Sequence, residues 1–159
     1  MCEYCGCQAI AAIEQLTDEH DQMLGHVRAA EQAVQRADRA GAVRACQQLQ
    51  VLLVPHTRTE EQGLFPPMAA EFGEQLQQLE DEHADIEQVL SAMIEGTVVG
   101  SCWTAELQRA MFVLRGHIRK EQDGVFPAAL TILRAADWAR LDEARGQEPA
   151  PAVLVARLS

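Results

Sequence analysis

Four histidines and two glutamates stand at spacings that suit metal coordination. Glu60 follows His56 by four residues, and Glu121 follows His117 by four. Such pairs lie on one helical face, one turn apart. Imidazole nitrogen and carboxylate oxygen together suit iron, manganese or zinc. Each pair runs into the same tail, Gly63-Leu64-Phe65-Pro66 in one copy and Gly124-Val125-Phe126-Pro127 in the other. The proline should loosen or end the helix soon after the pair. Upstream of each pair is a further match, Asp18-Glu19-His20 and Asp81-Glu82-His83. The separation is 63 residues from His20 to His83 and 61 from His56 to His117. These agreements predict a duplicated pair of helices, each half offering a lone His and then His-x-x-x-Glu.

The elements that must position these residues read as amphipathic helices. Over residues 9–40, Ile13, Leu16, Met23, Leu24, Val27 and Val34 recur in steps of three and four, with His20 inside the stripe. Thr17 is placed to cap a fresh helical start, and Gly41 to end the segment. Over 42–63 the stripe is Val43, Cys46, Leu49 and Leu53, continued by His56 and Glu60. Pro55 should kink this helix, and Gly116 holds the matching place in the second half. Residues 64–73 read as the crossover between halves. A third helix follows over 74–95 with Leu76, Leu79, His83, Ile86, Leu90 and Met93. Gly96 to Ser101 is a loop. A fourth helix over 102–124 carries Leu107, Met111, Leu114, His117, Ile118 and Glu121. A short fifth helix is expected from about Ala128 to Arg145, with a break near Asp137.

Composition agrees with an all-α chain of one domain. Of 159 residues 48% are hydrophobic but only 4% aromatic, and β-branched runs are scarce. The organisation reads as a Cys-rich segment over 1–8, a bundle over 9–145 and a tail over 146–159. A net charge of −11 disfavours nucleic acid or an anionic membrane surface as partner. No apolar run reaches the roughly 18–20 residues that span a bilayer, and the N-terminus does not read as a secretory signal. The expected setting is the cytoplasm. Cys2, Cys5 and Cys7 form Cys-x-x-Cys-x-Cys, which suits a soft metal or thiol–disulfide cycling. The alternative is a terminus with incidental thiols.

Six ionisable groups on apolar stripes would be costly to bury unless something neutralised them. Two metal ions with bridging carboxylates would do so. Glu60 and Glu121 are the natural bridges, His20 and His56 serving mainly one ion and His83 and His117 the other. His26 lies about 600° around the helix from His20 and should face away. Glu61 and Glu87 are expected on solvated faces, with a place beside the metal as the alternative.

Taken together, these residues resemble the hemerythrin-like family, the His-His-Glu cation-binding domains, over roughly residues 10–135. The resemblance implies an up-down-up-down four-helix bundle, here with a short C-terminal helix. It implies two non-haem iron ions, bridged by Glu60, Glu121 and an oxo or hydroxo group. Oxygen-carrying hemerythrins bear His-x-x-x-His on the third helix and His-x-x-x-x-Asp on the fourth. Here the matching residues are His83-x-x-x-Glu87 and His117-x-x-x-Glu121. One terminal imidazole is thus replaced, which favours redox turnover or sensing over reversible oxygen carriage. The expected ligand is oxygen, peroxide or nitric oxide. The alternatives are an iron or redox sensor without turnover and a structural bundle holding adventitious zinc.

Overall fold

Buried residues at steps of three and four build each long helix of the computed structural model, which describes residues 6–98, 100 and 102–146. Helix α1 (Cys7–Gln35) buries Leu16, His20, Met23, Val27 and Ala30 along one stripe. Helix α2 (Arg39–Thr59) buries Ala42, Cys46, Leu49, Leu53 and His56. Helix α3 (Ala69–Glu95) buries Leu76, Leu79, His83, Ile86, Leu90 and Met93. Helix α4 (Cys102–Lys120) buries Leu107, Met111, Leu114, His117 and Ile118. Two short helices follow, α5 (Phe126–Ile132) and α6 (Ala135–Gly146). Each long helix packs on the next in the chain, and α1 also packs on α4. The described residues are helical with short connections and hold no strand, and no helix among them is long and apolar enough to cross a membrane.

Several boundaries differ from the sequence expectation, each for a local reason. Thr17 caps nothing, because its hydroxyl donates to the Ile13 carbonyl at 2.8 Å inside an unbroken α1. Gly41 does not end α1. It lies in the first turn of α2, where its N–H donates to the Asp38 carboxylate at 2.9 Å, so Asp38 is the cap. Helix α2 runs through Pro55 without a break in its α-helical run. The crossover is shorter than expected. It is a single 3₁₀ turn, Pro66–Met68, after which α3 starts at once and bends at Phe72. Near the end of the bundle the break falls at Leu133, whose backbone is extended, rather than at Asp137. Asp137 instead accepts from the Arg134 N–H at 2.9 Å and starts α6. Cys2, Cys5 and residues 147–159 lie outside the described residues; Cys7 opens α1 and is exposed.

The widened turns come directly after the helices that carry the His-x-x-x-Glu pairs. Glu60–Leu64 and Glu121–Val125 are both π-helical. In the first, the Phe65 N–H reaches back five residues to the Glu60 carbonyl at 2.8 Å. Pro66 and Pro127 stand just past the widened turns, at the start of the next element. Neither has an N–H to donate, and each ring would crowd the carbonyl four residues back in a regular helix.

The buried residues fall into two apolar clusters. One contains Met23, Leu49, Leu53, Ile86, Leu90, Met111 and Leu114. The other contains Leu16, Leu64, Phe65, Leu79, Phe126 and Leu141. On α1 and α3 the histidine falls at the change from one cluster to the other, and on α2 and α4 it lies near the end of the helix, where the first cluster gives out. A polar layer therefore crosses the bundle between two apolar ones.

Candidate metal centre

The layer is made by six side chains. His20, His56, His83 and His117 are at most 2% exposed, and Glu60 and Glu121 are fully buried. Helices α1 to α4 each supply one histidine, and the first residue of each π-helical turn supplies one glutamate. Their ligand atoms form two groups of four. His20, His56, Glu60 and Glu121 are one, and Glu60, His83, His117 and Glu121 are the other. The two glutamates are common to both groups.

The distances are compatible with ligands around a cation as well as with His–Glu ion pairs. His20 Nε2 lies 3.0 Å from Glu121 Oε2, and His56 Nε2 lies 3.1 Å from Glu60 Oε1. His117 Nε2 is 2.9 Å from Glu121 Oε1, and His83 Nε2 is 3.4 Å from Glu60 Oε2. Metal–ligand bonds of about 2.1 Å at right angles would set neighbouring ligand atoms about 3.0 Å apart. Although within reach of one another, His20 Nε2, His56 Nε2 and all four Glu60 and Glu121 oxygens lack hydrogen-bond geometry. Such orphaned polar atoms are costly in a core. His83 Nε2 and His117 Nε2 approach to 2.8 Å. Their Nδ1 atoms each face a carboxylate, so both Nε2 atoms would present lone pairs to each other in the neutral rings. A cation between them removes the conflict.

A model of the hemerythrin HHE cation-binding domain matches residues 11–129. The chain belongs to that family. No curated protein and no solved structure matches it.

In this hemerythrin-like chain the field of the carboxylates is visible in the imidazoles. Burial works against protonated His56, but Glu60 and Glu19 outweigh it and raise the ring to about 10. Burial likewise opposes protonated His83, and Glu60 and Glu121 raise it to about 9. For Glu60, burial favours the neutral acid, yet His56 and His83 hold it well below the usual carboxylate range. The glutamate field that favours a proton on His56 and His83 would equally favour a metal cation in its place. Metal and proton therefore compete for the same atoms.

Residues outside the six complete the centre. Glu19 Oε2 lies 2.6 Å from His56 Nδ1, and Glu82 Oε2 lies 2.9 Å from His117 Nδ1. Arg145 of α6 pairs with Glu19, and Lys120 with Glu82. Both glutamates belong to the repeated Asp-Glu-His, and that repetition was their only sequence signal. Glu61 does not stand on a purely solvated face, because its Oε1 lies 2.8 Å from His83 Nδ1. Glu87 is also partly buried, but it accepts from the Thr57 hydroxyl at 3.0 Å and joins neither group. His26 joins neither group.

The repeated phenylalanines cross between the halves. Phe65 stacks on His83 with ring centroids 6.1 Å apart, and Phe126 stacks on His20 at 5.4 Å. Each Gly-x-Phe-Pro tail thus packs the lone histidine of the other half.

Proposed function

We propose that this chain is a non-haem di-iron protein that binds or reacts with oxygen, peroxide or nitric oxide. In this reading α1 to α4 form an up-down-up-down four-helix bundle. His20 and His56 would hold one ion and His83 and His117 the other, with Glu60 and Glu121 shared between them and an oxo or hydroxo group as the further bridge. The observation that carries the reading is the pair of four-residue groups sharing both glutamates. Bound iron would supply one-electron chemistry and open positions for a small ligand.

The chain's own residues prepare the place. Four protein donors would hold each ion and leave open positions for a small ligand. The apolar clusters on either side keep bulk water out and strengthen every charge interaction inside. Glu19, Glu61 and Glu82 fix which nitrogen of His56, His83 and His117 faces the centre. Cytoplasmic location is supported by the unpaired Cys46 and Cys102. The net charge of −11 argues against a nucleic-acid partner.

The test is to load the metal-free protein anaerobically with ferrous iron and expose it to oxygen, peroxide and nitric oxide in turn. New iron-to-ligand absorption with at least one of them is expected. No spectral change with any of the three, and no peroxide consumed, would leave sensing without turnover as the remaining iron reading.

A further inference from the structure

We infer that the two metal positions are unequal, and that Glu61 makes the His83–His117 position the tighter one. The inference rests on the di-metal reading above. It is motivated by what lies behind each imidazole. His83 Nδ1 is 2.8 Å from Glu61, His117 Nδ1 is 2.9 Å from Glu82 and His56 Nδ1 is 2.6 Å from Glu19. His20 Nδ1 is buried with no hydrogen-bond partner among the described residues. A carboxylate that accepts the Nδ1 proton pushes electron density toward Nε2, strengthens its bond to a cation and fixes the ring. The His83–His117 position has two such supports and the His20–His56 position has one.

The three carboxylates also differ in what else they hold. Glu19 is shared with Arg145 and Glu82 with Lys120, so a fixed cation already offsets part of each charge. Among the described ion pairs, Glu61 has His83 alone. The duplication does not repeat this carboxylate. Counting 61 residues on from Glu61 arrives at Gln122, a neutral amide. The asymmetry is therefore written into one position of an otherwise matched pair of motifs. Glu61 is a positioning residue in this account, since it acts through His83. Its side chain is 39% exposed, so replacing it leaves no buried hole.

The experiment is an anaerobic calorimetric titration of the metal-free full chain with ferrous iron. Two steps would appear even for identical positions, because the second cation meets the charge of the first across the shared glutamates. The variants decide. Glu61→Gln keeps an acceptor for the Nδ1 proton but loses the charge. It should weaken the tighter step by about 10- to 100-fold and leave the weaker step unchanged. Glu19→Gln should do the reverse, weakening the weaker step alone. If Glu61→Gln alters the weaker step, or changes neither, the inference is overturned while the di-iron reading stands. If wild type takes up no ferrous iron, the di-iron reading falls and the inference with it.

Discussion

Glu60 and Glu121 differ from the four histidines in touching both halves of the centre. Each belongs to both ligand groups, whereas each histidine belongs to one. Removing a histidine leaves a position that water can fill. Removing a shared glutamate weakens two positions and strands positive charge between apolar layers. We expect iron retention to fall in the order wild type and His26→Ala, then His20, His56, His83 or His117→Ala, then Glu60→Ala or Glu121→Ala. The glutamate variants should lose more than the about 10- to 100-fold that an outer partner costs, and metal analysis of the purified variants checks the order. Iron loss from His26→Ala with both ions kept in Glu121→Ala would show the wrong six residues. At this scale the grouping of these six side chains was legible because a duplicated motif repeats their types at matched spacing. Glu19 and Glu82 were not assigned, and Glu61 was placed beside the metal only as the alternative, because their bonds to imidazole run between helices. Nothing in the local pattern of α1, α3 or the first π-helical turn says which neighbouring ring a carboxylate will meet.

Among the elements, the helices were legible from their apolar stripes and the connections were not. Asp38, not Gly41, governs the start of α2, because a side-chain cap and a glycine stop look alike in sequence. The widened turns at Glu60 and Glu121 were anticipated only as a loosening by the downstream proline. Their consequences differ between the halves. A Cβ added to Gly63 would lie 2.8 Å from Leu141 Cα, so Gly63 is what lets α6 approach so closely. A Cβ on Gly124, its counterpart, would meet nothing within 4 Å. Instead, Gly124 helps line an apolar groove of about 470 Å³ with Phe72, Leu76, Leu79 and Val125. We therefore expect Gly63→Ala to displace α6 and to destabilise the chain by about 1–3 kcal/mol, as overpacking does. Gly124→Ala should change stability far less. Thermal or denaturant unfolding of the two variants checks this, and equal losses would contradict the assigned seat of α6.

For the whole molecule, the decisive feature is a polar layer with apolar clusters on both sides. Among the described residues, Glu19, Glu60, Glu61, Glu82 and Glu121 pair with only Arg145 and Lys120 as fixed cations around that layer. Two carboxylates fully buried in such a layer are costly without a positive partner, which protonated imidazoles or a bound metal would supply. The most direct measurement is the number of metal ions per chain. Tag-free protein should be stripped, reconstituted anaerobically with ferrous iron, freed of loose metal and analysed for iron and zinc. Two irons per chain are expected. One iron, none, or zinc alone would contradict the di-iron reading.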